Sequence, residues 1–164
     1  VFHSRITYVI QMVSNVQGAL SQLQNTGNAR FTGAEFSIDA DLASLLRAGM
    51  NYSWIERKNT SRPNLKFTDV PNNKLFAYLQ IMPVKRLSIH LSSEYNSARY
   101  STSYGTRADE FMLMNVRASV KVWKYFSVEG GLNNIFDKNY SLVEGYPEEG
   151  RNYFFSLLYS GAFK

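Results

Sequence analysis

Residues 86–96 read Arg-Leu-Ser-Ile-His-Leu-Ser-Ser-Glu-Tyr-Asn, and this stretch decides the fold class. Leu87, Ile89, Leu91 and Tyr95 occupy one face of an extended chain, whereas the residues beside them are mostly polar. A period of two is the pattern of a β-strand with one apolar face and one polar face. The stretch therefore predicts a strand whose two faces meet different surroundings.

The same alternation recurs along the chain and predicts about eight strands. We place them at residues 2–14, 29–42, 46–58, 73–83, 86–100, 109–123, 126–144 and 149–163. Strands of soluble sheets usually have about five or six residues, whereas a strand needs about 9–11 residues to cross a membrane. The predicted lengths favour an antiparallel transmembrane β-barrel.

The connections between the predicted strands alternate in length. The tight ones span residues 43–45, 84–85 and 124–125, and the long polar ones span residues 15–28, 58–72 and 101–108. Outer-membrane barrels have short periplasmic turns and long extracellular loops. The alternation therefore predicts that the first strand runs outward and that the last runs inward to a periplasmic end.

The polar faces of the strands carry many charges, which suits a wet lumen inside the barrel and lipid outside. These charged residues are Glu35, Asp39, Asp41, Arg47, Glu94, Arg117, Lys121 and Glu129. A soluble up-and-down barrel or sandwich also alternates, but its apolar face packs inward. Aromatic residues at predicted strand ends favour the membrane interpretation, because membrane barrels carry aromatic girdles: Trp54, Trp123, Tyr125, Phe126 and Phe163.

Composition excludes several other classes of protein. The chain has no cysteine, which removes disulfides and thiolate metal sites, and its two histidines are too few for a His-rich metal site. The net charge of +5 comes from scattered residues without a basic run, so nucleic-acid binding is not predicted. A Ser-His dyad using His90 could be drawn, but no G-x-S-x-G motif is present. We predict neither an enzyme nor a cofactor.

The stretch Gly-Leu-Asn-Asn-Ile-Phe-Asp-Lys-Asn-Tyr at 131–140 and the stretch Gly-Tyr-Pro-Glu-Glu-Gly-Arg-Asn-Tyr at 145–153 resemble the closing hairpin of TonB-dependent outer-membrane receptors. The segment at 28–36 is a second, weaker match. The resemblance assigns structural roles to the hairpin residues and to the aromatic end of the last strand: Asn134, Phe136, Asp137, Tyr140, Pro147, Gly150, Arg151 and Phe163. Lys164 departs from the family, in which Phe usually ends the chain.

The resemblance implies that residues 1–164 form the C-terminal segment of a larger barrel of the 22-stranded type, with the plug domain and N-terminal strands absent. It implies TonB-energised uptake of a scarce ligand such as a ferric siderophore, haem or cobalamin. The implied partners are outer-membrane lipid and lipopolysaccharide, TonB through the plug, the barrel-assembly machinery through the last strand, and a small-molecule metal chelate. A small closed eight-stranded barrel acting as adhesin, lipase-type enzyme or channel is the alternative, because eight strands can close on themselves.

Five residues around one predicted extracellular loop are candidates for ligand binding. They combine aromatic area with cations suited to an anionic iron chelate: Tyr95, Arg99, Tyr100, Tyr104 and Arg107. An alternative is that these arginines contact lipopolysaccharide phosphates or solvent. Glu35, Asp39 and Asp41 could suggest a cation site, but we expect them to solvate the lumen or to pair with Arg47.

Overall fold

The computed structural model describes residues 1–16 and 20–161, and eight of its strands form one antiparallel sheet, the main sheet. Its strands, in spatial order, are β1 (Phe2–Ile6), β4 (Ala29–Ala43), β5 (Leu46–Asn59), β6 (Asn73–Val84), β7 (Leu87–Asn96), β10 (Phe111–Lys121), β11 (Phe126–Asn133) and β14 (Asn152–Tyr159). Three hairpins lie in the connections: β2 (Ile10–Val16) with β3 (Leu20–Asn25), β8 (Arg99–Tyr100) with β9 (Arg107–Ala108), and β12 (Ser141–Val143) with β13 (Tyr146–Pro147). The described residues contain no helix long and apolar enough to cross a membrane.

The eight-strand prediction is confirmed, but four predicted strands extend too far toward the long-loop end of the sheet, called here the outer end. The predicted strand 2–14 breaks after Ile6, and Tyr8 there adopts a positive φ of 58°. The predicted strands 86–100 and 126–144 leave the main sheet after Asn96 and Asn133. The last predicted strand joins the sheet only at Asn152.

The register of the main sheet places the charged residues of neighbouring strands on one face. Arg47 lies opposite Asp41 and Gln80, and His90 lies opposite Gln80 and Arg117. On this face, the Arg47 guanidinium and the Tyr78 hydroxyl both donate to the Asp39 carboxylate. The face is therefore a connected polar surface, which we call the lumenal face.

The opposite face of the main sheet is apolar and exposed. Phe36, Ile38, Leu157 and Phe155 are all exposed on it, and Tyr153 has 75% of its surface accessible. A soluble barrel would pack this face into a core, whereas the buried hydrophobic residues of the described chain lie mainly in and beside the outer loops: Val13, Ala29, Leu65, Ala108 and Phe111. The soluble interpretation is therefore wrong, and the apolar face is the lipid-facing wall of a membrane barrel.

Aromatic rings on the lumenal face lie directly over glycines of neighbouring strands. The register pairs Phe2 with Gly33, Tyr78 with Gly49, and Phe154 with Gly131. A Cβ built on any of these three glycines would come within 2.3–2.4 Å of a carbon of the facing ring. Glycine is therefore required at each position for the ring to lie flat against the wall.

Candidate functional site

The candidate site lies among the outer loops, which are joined to one another by hydrogen bonds. Ser103, between β8 and β9, is fully buried. Its hydroxyl accepts from the Ser14 amide at 2.8 Å, and its carbonyl accepts from the Lys66 amide at 2.8 Å. The Asp69 amide donates to the Tyr100 carbonyl at 2.9 Å. Three connections that are distant in sequence thus meet at one residue and form a common framework.

A small cavity opens between the second and third outer loops, and we call it the outer cleft. It has a volume of about 60 Å³ and is lined by Arg57, Lys66, Phe67, Val70, Asn72, Ala98, Arg99, Tyr100 and Arg107. Pockets for drug-sized ligands measure about 300–1,000 Å³, so the cleft has room only for a small part of such a ligand. Its lining holds four cations and no carboxylate.

Three of the four cations of the outer cleft lie over aromatic rings. The guanidinium of Arg57 is 5.6 Å from the Phe67 ring centre, and that of Arg107 is 4.7 Å from the Tyr100 ring centre. Arg57 also donates to the carbonyls of Thr68 and Val70 at 3.2 and 3.1 Å. Such contacts hold the guanidinium planes while leaving other N–H donors free for a ligand.

Arg99 is the most deeply buried cation of the cleft, with 5% of its surface exposed. Its guanidinium lies 5.2 Å from the Phe111 ring centre, and its Nε and Nη2 have no hydrogen-bond partner. Burial lowers the pKa of Arg99, whereas the carboxylates of Asp69 and Glu94 act in the opposite direction. An arginine stays protonated in proteins, so Arg99 is a buried cation with two unpaired donors. A carboxylate or phosphate would satisfy both.

Residues of the closing-hairpin motif, in the connection between β11 and β14, support the packing around Arg99. Asn134 is buried with a positive φ of 50°, and its side chain donates to the Lys138 carbonyl and accepts from the Lys138 amide, at 2.9 and 2.8 Å. The Asp137 carboxylate accepts from the Arg151 amide at 2.8 Å. The centre of the Tyr140 ring lies 4.6 Å from that of the Phe111 ring, which also lies beside the Arg99 guanidinium.

The other motif residues either shape the backbone of the closing hairpin or are exposed on its surface. Gly150 lets the Asp137 carboxylate approach the backbone closely, because a Cβ there would lie 2.8 Å from the carboxylate oxygen. Pro147 pairs with Ser141 in the hairpin of β12 and β13. Phe136 is 70% exposed. Phe163 and Lys164 lie outside the described residues.

The structure brings together three of the five predicted ligand-binding residues. Arg99, Tyr100 and Arg107 line the outer cleft. Tyr95 lies on the lipid-facing side, opposite Leu75, and its hydroxyl donates to Glu110 at 2.8 Å. Tyr104 is 59% exposed and does not line the cleft.

Sequence reasoning missed the contribution of the second outer loop to the cleft. Arg57, Lys66 and Phe67 come from the end of β5 and the connection after it. The neighbouring Lys66 and Phe67 repeat the pairing of cation and aromatic residue on which the other candidates were chosen, and this is the signal that could have identified them.

Glu35, Asp39 and Asp41 do not form a cation site. Arg47 bonds Asp39 and lies 4.0 Å from an oxygen of Asp41, as the pairing prediction expected. Among the described residues, no three His, Asp or Glu side chains converge as metal ligands.

Comparison with known proteins gives one family and one fold. A family profile described as "TonB dependent receptor-like, beta-barrel" matches residues 1–135, so the hairpin residues after 135 lie outside that match. The copper transporter OprC aligns with a TM-score of 0.78 at 17% identity, over 96% of this chain and 27% of its own. A mutant ferric enterobactin receptor of Pseudomonas aeruginosa in complex with enterobactin aligns with a TM-score of 0.76 at 18% identity, over 96% and 28%.

A third structure shows the same fold. The ferric-catecholate import receptor Fiu of E. coli, in its open form, aligns with a TM-score of 0.69 at 16% identity, over 85% of this chain and 22% of its own. The chain therefore spans only about a quarter of the length of these structures.

Proposed function

Because this chain belongs to the family of TonB-dependent receptor β-barrels, we propose that it forms part of a transporter that takes up a scarce ligand across the outer membrane. The family consists of outer-membrane barrels that act as receptors and transporters rather than as enzymes. In the proposed protein, this chain supplies barrel wall and the outer loops. In the same proposal, TonB supplies energy through a plug domain.

We propose that the chain is the C-terminal segment of a larger, 22-stranded type of barrel. The main sheet has β1 and β14 at its edges, and among the described residues no pairing joins these two strands. An open edge inside a membrane leaves backbone groups without partners, so further strands are needed to close the wall. This observation disfavours the small closed barrel, and with it the adhesin, lipase-type enzyme and channel. In the proposed barrel, the last strand is also the signal for the assembly machinery.

We propose that the ligand is an anionic metal chelate such as a ferric siderophore. The main support for this proposal is the buried Arg99. Its two unpaired donors, together with Arg57, Lys66 and Arg107, give the outer cleft a positive charge that no lining carboxylate offsets. The volume of the cleft suits one charged arm of a chelate, with the remainder held by other parts of the receptor. Haem also carries carboxylates, whereas cyanocobalamin has one internal phosphodiester and no net negative charge.

The binding experiment uses the natural protein purified from outer membranes, with ferric enterobactin, haemin and cyanocobalamin as probes. Fluorescence quenching measures the affinity for each. We expect one anionic probe to bind and the variant Arg99→Gln to weaken it by about 10- to 100-fold, because a desolvated charge-assisted contact is lost. Arg62→Gln is the matched control, since Arg62 is an exposed loop arginine that does not line the cleft.

Two results would contradict the proposal. Binding of cyanocobalamin alone would reject a ligand with a net negative charge. Equal affinities of the Arg99→Gln and Arg62→Gln variants for the bound probe would reject the outer cleft as its site. Uptake by cells with and without TonB then tests the transport claim separately from binding.

A further inference from the structure

Three cations form a row across neighbouring strands at the outer end of the lipid-facing wall. The register places Arg5 of β1 directly opposite Arg30 of β4, and Arg30 directly opposite Lys58 of β5. All three residues are exposed. They lie on the same face of the sheet as Ala34 and Trp54, a pair four residues further into the wall. The row therefore points away from the lumen.

The row repels itself in the absence of an anion. Residues directly opposite in an antiparallel pair have Cβ atoms about 4.5–5.5 Å apart, and like charges there are destabilising. Lys58 has one partner, because its Nζ lies 2.7 Å from the Glu56 carboxylate. Arg5 and Arg30 have no ion-pair partner among the described residues. Two adjacent guanidinium groups therefore face outward without a counter-charge from the residues that the structure describes.

The height of the row matches the headgroups of the outer leaflet. Lys58 follows Trp54 by four residues, which is about 13 Å along a strand and about 10 Å in height for a strand tilted by 35–45°. Trp54 has the position of an outer girdle residue, at the boundary between hydrocarbon and headgroups. The row then lies in the layer of lipid phosphates, where guanidinium groups bind two phosphate oxygens at once.

We propose that Arg5, Arg30 and Lys58 bind the phosphate groups of lipopolysaccharide in the outer leaflet. Each phosphate replaces the missing counter-charge between two neighbouring strands, so the bound lipid fastens β1 to β4 and β4 to β5 from outside. The site is separate from the outer cleft, whose buried arginine lies among the loops. A failure of this proposal leaves the proposed uptake function untouched.

The test measures binding of purified lipopolysaccharide to the natural protein, stripped of lipid in detergent. The probes are intact lipopolysaccharide, chemically dephosphorylated lipopolysaccharide, and inorganic phosphate as a competitor. The double variant R5Q/R30Q is compared with K85Q/K124Q, which removes the same charge from exposed turns at the opposite end of the sheet. We expect R5Q/R30Q to weaken binding of the intact lipid at least about tenfold and K85Q/K124Q to change it less than about twofold.

The dephosphorylated lipid is expected to bind the natural protein and R5Q/R30Q equally weakly. Equal affinity of the two double variants for the intact lipid would overturn the proposal, and so would displacement of the lipid by an equal concentration of inorganic phosphate. If R5Q/R30Q does not fold, R30Q alone is expected to weaken binding about threefold or more. In lipid-free detergent, R30Q should melt no lower than the natural protein, because it removes repulsion. A lower melting temperature would show that Arg30 has a structural role and reject the site.

Discussion

On the lumenal face, aromatic rings lie flat on glycines, and the neighbouring residues Gly130 and Gly131 allow a test of whether the ring requires a glycine. A Cβ at Gly131 would lie 2.4 and 2.6 Å from two ring carbons of Phe154 and 2.7 Å from the backbone oxygen of Val116. A Cβ at Gly130, on the lipid-facing side, would meet nothing closer than a backbone oxygen at 3.6 Å. The substitutions G131A and G130A therefore add the same methyl group in the same strand with opposite expected effects.

The size of the difference follows from the two contacts. Overpacking costs about 1–3 kcal/mol, and the ring of Phe154 can rotate away, whereas the Val116 oxygen belongs to the sheet. A Gly→Ala change without strain stabilises by about 0.4–1 kcal/mol, because it restricts the unfolded chain. We expect G131A to be less stable than G130A by about 2 kcal/mol, which is up to about 30-fold in the folding equilibrium.

The assay is urea unfolding of the natural protein in lipid vesicles, followed by intrinsic fluorescence. G130A is the control for G131A, because it shows the effect of alanine in this strand without the contact with a ring. Adding F154A to G131A removes the ring and should recover part of the loss, so the two changes should be non-additive by at least about 0.5 kcal/mol. If G131A and G130A unfold at the same urea concentration, the ring does not require a glycine there.

Substitutions at three further residues test the outer loops. Asn134→Ala removes the three hydrogen bonds of the side-chain amide, two with the Lys138 backbone and one with the Glu149 carbonyl, and replaces a residue that tolerates a positive φ. We expect a loss of about 2–3 kcal/mol in the free energy of unfolding in the same urea titration. Ser103→Ala removes only the hydroxyl acceptor of the Ser14 amide, so hydrogen exchange should become about fivefold faster at Ser14 and stay unchanged at Lys66, which bonds the Ser103 carbonyl. Tyr140→Phe keeps the ring contact with Phe111 and should change stability by less than about 0.5 kcal/mol, whereas Tyr140→Ala should cost about 2 kcal/mol and weaken ligand binding in the outer cleft. Equal exchange at Ser14 in both proteins, or equal stability of the two Tyr140 variants, would contradict the contacts described.

The two faces of the sheet could be predicted because they depend on a local period. From Leu87 to Asn96, apolar residues alternate with polar ones as the register later places them toward lipid and toward the lumen, with Ser93 on the lipid-facing side as the exception. Tyr95 belonged to the apolar face of that same pattern, so its selection as a ligand-binding residue conflicted with the alternation. Its position opposite Leu75 agrees with the pattern.

The outer cleft could not be predicted, because its residues meet across long separations. Arg57 and Arg99 are 42 positions apart and converge because the connection after β5 folds back onto the connection after β7. The break after Ile6 depends on the left-handed conformation of Tyr8, which nothing in its residue type requires. The motif residues Asn134 and Asp137 were recognisable by their types, since both tolerate the positive φ found there.

Ser103 also determines what the cell surface presents to other molecules. Because its two oxygens accept from amides of two other connections, the first three outer loops form one composite epitope rather than three separate peptides. An antibody raised against a linear peptide of residues 101–108 would meet in that peptide a serine that the folded protein conceals. Immunisation with the folded barrel, rather than with loop peptides, is therefore the way to obtain antibodies that recognise intact cells.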